Sequence, residues 1–248
     1  EVFAGAIDTA DSELKQVLIA GTMQPSESSV FKYYSFVMKL ADQYRRLGLR
    51  TNADTPEQTR NAIAFGAEGI GLCRTEHMFM AADRQPKVRR MIMNIDDDEA
   101  RGAALDELLP LQQGDFDGLF EAMDGRPVTI RLLDPPLHEF LPHTREGMRE
   151  LADALDKPLS EITRRSEDLA EFNPMLGLRG VRLGVTIPEI YEMQARAIFE
   201  AVIEVGKRTG ATVTPEVMVP LVMTKAELDL VKARIDAMAK AVMAESGT

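Results

Sequence analysis

Gly71-Leu72-Cys73-Arg74-Thr75-Glu76-His77-Met78-Phe79 begins as an apolar strand and ends in a tight cluster of charge. A strand that stops in this way delivers an arginine to the mouth of an α/β active site. A second run, Val128-Thr129-Ile130-Arg131-Leu132-Leu133-Asp134-Pro135-Pro136, repeats the pattern, and Asn173-Pro174-Met175-Leu176-Gly177-Leu178-Arg179-Gly180 brings a third arginine. Arginine suits such a place because its planar fork makes paired, charge-assisted hydrogen bonds to phosphate or carboxylate oxygens and keeps its charge when partly buried. Arg74, Arg131 and Arg179 at three element ends therefore point to an anionic ligand. For any one of them alone, a salt bridge is an equally good account.

Outward from these motifs, strands are expected at 49–53, 69–73, 128–133, near 178–183 and at 213–222, with helices between them. Thr55-Pro56-Glu57-Gln58 starts a helix that ends at Gly66, with a threonine N-cap, proline in the first turn and glutamine completing a capping box. Thr186-Ile187-Pro188-Glu189 starts another, which carries Ile190, Met193, Ala197, Ala201 and Val205 on one face and closes at Gly210. Thr224-Lys225-Ala226-Glu227 starts the last, with Leu228, Val231, Ile235, Met238 and Val242 on its apolar face. Strands alternating with helices imply a parallel sheet with right-handed crossovers. The expected fold class is α/β, a partial (β/α)8 TIM-type barrel of about five of eight strands, with helical insertions at about Met80 to Asp124 and Leu137 to Phe172. Ahead of it a short helix over 11–18, a loop from Gly21 to Ser29 and a helix from Val30 to near Gly48 form a helical connector over 6–48. The stripe Val30, Tyr34, Val37, Met38, Ala41 and Tyr44 is its expected buried face. Residues 49–248 then form the barrel portion, whose open edges favour self-association.

The net charge of −11 and pI near 4.9 argue against nucleic acid, which needs a basic stripe. The single cysteine excludes an internal disulfide, no apolar run approaches the roughly 18 residues of a membrane span, and no signal peptide is visible, so a cytoplasmic location and no membrane partner are expected. Cys73, between Leu72 and Arg74, is either a buried core residue or a thiol made acidic by its neighbour. Asp96-Asp97-Asp98-Glu99 suits the N-terminus of a helix over 99–109 better than a cation site. His77, His138 and His143 match no metal spacing, and the fourteen methionines, Met91, Met93, Met193 and Met238 among them, fit apolar helix faces. Glu76 is placed to orient Arg74 or to form a plain salt bridge, and Asn52, at the end of the first strand, could add a polar contact. No glycine-rich P-loop offers a place for ATP.

The three arginine motifs together, and above all Arg131 to Pro142 with its double proline and His138-Glu139-Phe140-Leu141-Pro142, resemble the phosphoenolpyruvate-binding barrel of the pyruvate, phosphate dikinase family over the whole chain. That resemblance implies arginines around phosphoenolpyruvate at Arg74, Arg131 and Arg179, with Asp134 as an acidic residue beside them. It implies a parent enzyme, a homodimer, that interconverts ATP, phosphate and pyruvate with AMP, diphosphate and phosphoenolpyruvate. Phosphoryl passes through a phosphohistidine on a swivelling domain upstream, of which residues 1–5 would be the end. The parent's Mg²⁺ ligands and catalytic cysteine would lie beyond Thr248, leaving no metal ligand here and a stretch that is catalytically silent alone. Phosphoenolpyruvate synthase and enzyme I of the sugar phosphotransferase system share the Arg-Thr-Glu strand, and a non-catalytic metabolite-binding or dimerisation module is the reading from a different class.

Overall fold

The computed structural model describes residues 12–247, so the expectation for residues 1–5 lies outside them. The described chain opens with α1 (Glu13–Lys15), a π-helical turn at Gln16–Ala20 and α2 (Ser29–Tyr44). Next come β1 (Arg50–Asn52), α3 (Pro56–Ala64), β2 (Gly69–Arg74) and the short α4 (Thr75–Phe79). The first insertion is α5 (Gln85–Met93) and α6 (Asp98–Met123), and it leads to β3 (Val128–Arg131). A 3-10 turn at Leu137–Phe140, α7 (Arg145–Leu155) and α8 (Leu159–Asp168) form the second insertion. Then α9 (Val181–Thr186), α10 (Pro188–Thr209), β4 (Pro215–Met218) and α11 (Lys225–Ser246) follow.

The strands form one parallel sheet in the order β1-β2-β3-β4, as successive β/α units require. Ile70, Ile130 and Leu132 from the sheet join Phe116 and Leu119 of α6 and Ile198 of α10 in the core. The α10 residues expected to be buried are all buried, whereas on α11 Val231, Ile235 and Val242 are buried and Leu228 is exposed. Met91, Met93 and Met193 are core residues, as their helical spacing suggests. The expected caps form. Thr55 accepts from Gln58 N–H, Gln58 reaches back to Asp54 N–H at 2.9 Å, and Thr224 and Glu227 make a complete capping box. Asp97 caps α6 by accepting from Ala100 N–H at 3.0 Å, which gives the acidic run its helix-start role.

Four expectations change. The segment 178–183 is not a strand, and the described sheet has four strands, not five. β3 pairs directly with β4, and their ladder ends where Leu132 N–H donates to Met218 O at 3.0 Å. The turn around Gly180 fills the space beyond, its N–H donating to Asp134 O at 3.0 Å and the N–H of Val181 to Pro220 O at 2.9 Å. Gly180 takes φ 55° and ψ −133°, a conformation open to glycine and hardly to any other residue, and a Cβ there would meet Pro220 O at 3.0 Å. A chain turned this way cannot run on as a strand, and α9 begins at once. The strand expected at 213–222 likewise shortens to β4, at 215–218.

The helix expected over 99–109 continues through Pro110 to Met123. Proline removes one helical hydrogen bond, but buried Leu105, Leu108, Gln112, Phe116 and Leu119 hold both halves to one core. Finally, α2 has no buried residue. Tyr34 and Met38 are half-buried, with Tyr34 O–H donating to Phe65 O at 3.1 Å, while Val30, Val37 and Tyr44 are exposed together with Tyr33, Phe36 and Leu40. The helix is apolar on two faces and only one of them meets the described chain.

The joint between α2 and the sheet is ionic. The Glu68 carboxylate accepts from Arg45 Nη1 at 2.9 Å, from Arg45 Nη2 at 2.5 Å and from Leu49 N–H at 2.9 Å. The arginine hydrogen bond and then the backbone one lower the Glu68 pKa from 4.5 to about 2. No helix among the described residues is long and apolar enough to cross a membrane. Because the folded carboxyl has the lower pKa, the joint's contribution is fully present above 4.5 and is lost as pH falls through about 2. Leu49 N–H should therefore stay protected from hydrogen exchange at pH 5 and lose protection towards pH 2. In Glu68→Gln that pH dependence should vanish; its persistence would place the titration elsewhere.

Candidate active site

Arg74 is the last residue of β2 and Arg131 the last of β3, and the two are partners in the parallel register. Both leave the C-terminal edge of the sheet, where ligand sites of such folds lie. Arg179 reaches the same place from the turn before α9. The three cations are held by carboxylates. Asp134, only 5% exposed, accepts from Arg179 Nη2 at 2.7 Å and lies 3.3 Å from Arg131 Nη1. Arg131 Nη2 also donates to Glu76, in the first turn of α4. Thr75 O–H donates to Arg131 O at 3.0 Å and pins that turn over the end of β3.

Glu76 thus orients Arg131 and not Arg74, because α4 leans across the neighbouring strand. The partner of Arg74 is Asp54. One Asp54 oxygen accepts from Arg74 N–H at 2.6 Å; the other lies 2.7 Å from His77 Nδ1 and 3.9 Å from an Arg74 guanidinium nitrogen. Asp54 is absent from the sequence expectation. Its signal is its place just after β1, two residues past Asn52 and beside the cap of α3. Asn52 itself is exposed at the end of β1, and its side chain makes no hydrogen bond among the described residues.

The guanidinium side chains are partly open, at 36% for Arg74, 22% for Arg131 and 20% for Arg179, while Asp134 at 7% and Glu76 at 9% are enclosed. Each guanidinium is held by a carboxylate and stays partly exposed. Two enclosed atoms, Arg131 Nε and Glu76 Oε2, have no partner. Clefts of about 620 Å³ beside Gln113 and Glu245 and about 560 Å³ beside Tyr34 and Phe65 are lined by other residues. Convergent charge at the sheet edge, rather than concavity, marks the site.

The other candidates have structural settings. His138 lies on the 3-10 turn with a buried, unpartnered Nδ1, and His143 is exposed in the loop after it. Among the described residues no three His, Cys, Asp or Glu side chains converge to hold a metal ion. Cys73 is fully buried in β2.

Comparison with known proteins fits this arrangement. The family described as PEP-utilising enzyme, PEP-binding domain matches residues 29–248. The chain belongs to this family. It is 52% identical over 228 residues to the pyruvate, phosphate dikinase of Clostridium symbiosum, a match that covers 92% of this chain and 26% of that protein. The pyruvate, phosphate dikinase of Rhizobium meliloti is 53% identical over 243 residues, covering 98% of this chain and 27% of the relative. A chloroplastic pyruvate, phosphate dikinase of Arabidopsis thaliana is 55% identical over 215 residues, covering 85% of this chain and 22% of that protein. The chain spans about a quarter of the length of the curated relatives it matches.

At the site, burial and then the negative charge of Asp54, Asp115 and Glu76 push the Cys73 thiol well above its ordinary 9.0. The adjacent arginine does not make it acidic. A raised pKa keeps the group as the unreactive thiol through mildly alkaline pH. Iodoacetamide at pH 8 should leave Cys73 unmodified in the folded protein and alkylate it in denaturant; rapid labelling of the folded chain would contradict this.

Proposed function

We propose that this chain forms the phosphoenolpyruvate- and pyruvate-facing part of a pyruvate, phosphate dikinase. The observation that carries the reading is the convergence of Arg131 and Arg179 on enclosed Asp134, with Arg74 beside Arg131 in register. The names of the Clostridium, Rhizobium and Arabidopsis relatives support the choice of enzyme within the family. The whole enzyme would convert ATP, phosphate and pyruvate to AMP, diphosphate and phosphoenolpyruvate, carrying phosphoryl on the histidine of a swivelling domain. Residues 1–5 would end that domain, 6–48 would be the connector and 49–248 the first part of the barrel. A homodimer and a cytoplasmic location belong to the same proposal; the chloroplastic label is that of the Arabidopsis protein.

In this reading Arg74, Arg131 and Arg179 are the catalytic, substrate-binding residues. Their guanidinium donors meet the oxygens of the transferring phosphoryl group, whose charge spreads over three oxygens in a loose transition state. Asp134 and Glu76 act on the guanidinium groups, fixing their planes before the ligand arrives. Asn52 adds a polar contact from the end of β1. Mg²⁺ would supply charge stabilisation at the pyruvate enolate in the whole enzyme. Asp134 and Glu76 are engaged with arginines and no further carboxylates converge among the described residues, so these side chains do not form a Mg²⁺ cage. In this reading the metal ligands and the cysteine that protonates the enolate belong to other parts of the whole enzyme.

Calorimetric titration of the chain with phosphoenolpyruvate, with and without Mg²⁺, tests the proposal. Weak binding that is indifferent to Mg²⁺ and abolished by Arg131→Ala is expected. Because Arg131→Ala also leaves Glu76 enclosed without its cation, Arg74→Ala is the companion variant, since Asp54 keeps His77 and a backbone N–H. In the whole enzyme either change should lower kcat by about 10²–10³, the scale of one lost transition-state donor. Tight Mg²⁺-dependent binding, or binding indifferent to both substitutions, would overturn the reading.

A further inference from the structure

The peptide before Asp134 is held in an unusual way. The β3–β4 ladder ends at Leu132, so the polar groups of fully buried Leu133 have no strand partner. Two side chains of α10 take their place. Gln194 Oε1 accepts from Leu133 N–H at 2.9 Å, and Tyr191 O–H donates to Leu133 O at 2.8 Å. These residues are three apart on α10, so both lie on the helix face that meets the sheet. Gln194 is held in turn, its amide donating to Gln112 Oε1 at 3.1 Å, and Gln112 reaches Met78 Sδ on α4 at 3.6 Å. Gly184 of α9 makes room for the tyrosine, since a Cβ there would fall 2.5 Å from the Tyr191 ring. Burial keeps the Tyr191 phenol protonated, well above its ordinary 10.0, so it remains a donor.

We infer that Tyr191 and Gln194 are positioning residues for the anion site: by clamping both polar groups of Leu133 they fix Asp134, which aligns Arg131 and Arg179. The inference rests on the phosphoenolpyruvate reading for its purpose, although the clamp itself exists without ligand. An unsatisfied buried peptide group is costly, so loss of either side chain makes Leu133 shift to find another partner. Asp134 is the next residue, and its carboxylate is the shared anchor of two guanidinium groups. A purely structural hydrogen bond would lower stability wherever it lay. A positioning bond also loosens the arginines.

The test compares Tyr191→Phe, Gln194→Met and Gly184→Ala with Thr59→Val, which deletes a buried hydroxyl bond to Thr55 O at the start of α3 and removes no hydrogen bond to Leu133, Asp134 or Arg179. Arg179 Nε–H donates to Asp134, and its solvent exchange, followed by NMR on the ligand-free chain and assigned with Arg179→Lys, reports the alignment. Exchange should quicken by about five-fold or more in the clamp variants, the weight of one neutral hydrogen bond, and phosphoenolpyruvate affinity should fall by a similar factor. Thr59→Val should change neither. If one clamp variant does not fold, the others carry the comparison. Wild-type exchange in the folded clamp variants, or equal quickening in Thr59→Val, would overturn the inference. Quickened exchange in variants of a chain that ignores phosphoenolpyruvate would leave the clamp standing and overturn the ligand reading instead.

Discussion

The enclosed carboxylate of Asp134 is the constraint on which the rest of this site depends. An ionised carboxyl removed from water costs several kcal/mol unless it is paired and hydrogen-bonded. Asp134 meets that demand with Arg179 at 2.7 Å and Arg131 at 3.3 Å, which come from different parts of the chain. Its backbone joins in, because Asp134 O accepts from Gly180 N–H. One residue therefore ties the end of β3 to the turn before α9 and, through Pro135 and Pro136, sets the direction in which the second insertion leaves the sheet. Removing it would strand Arg179 and leave Arg131 with Glu76 alone, whereas removing a surface partner such as Asp229 of the Lys225 pair would cost little.

Much of this was legible in the sequence, for a physical reason. An apolar run that ends in arginine has two properties, burial and charge, that are both local, and β2 and β3 end within a residue or two of where that pattern places them. The threonine caps of α3 and α11 are local too, and both formed. What escaped depends on contacts between distant segments. Leu178 to Leu183 has the composition of a strand, but β3 and β4 pair with each other and leave it only the opening beyond their ladder, where Gly180 turns the chain. Asp54, Tyr191 and Gln194 belong to the site or its support only because the fold brings β1 and α10 to the ends of β2 and β3. Glu76 lies two residues from Arg74 and yet serves the next strand's arginine, since sequence proximity does not say which way a short helix leans.

The misreading of α2 has a different cause. Periodicity reports that a helix has an apolar face; it does not say what meets that face. Val30, Tyr33, Val37, Leu40 and Tyr44 follow alternating three- and four-residue spacing and are exposed, while Phe31, Tyr34 and Met38 lean towards the described chain. The inward side meets the described chain through half-buried apolar side chains and the Tyr34–Phe65 hydrogen bond, and the end of the helix through the exposed ion pair of Arg45 and Glu68.

The charge balance of the site limits how it can bind an anion. Arg74, Arg131 and Arg179 face Asp54, Glu76 and Asp134, three positive charges against three negative, so the constellation is close to neutral. Long-range attraction is therefore small, in keeping with a chain whose net charge is −11. In the proposed reading selectivity comes from donors fixed in place: the carboxylates align the guanidinium groups, and an incoming phosphate would be recognised by geometry at short range. Such a site favours an anion whose charge is spread over several oxygens and whose shape matches the fork, because each added donor then strengthens without further desolvation. The enclosed Arg131 Nε and Glu76 Oε2 are the two buried atoms of these side chains without a hydrogen-bond partner, and they lie on the pair that ties α4 to the end of β3.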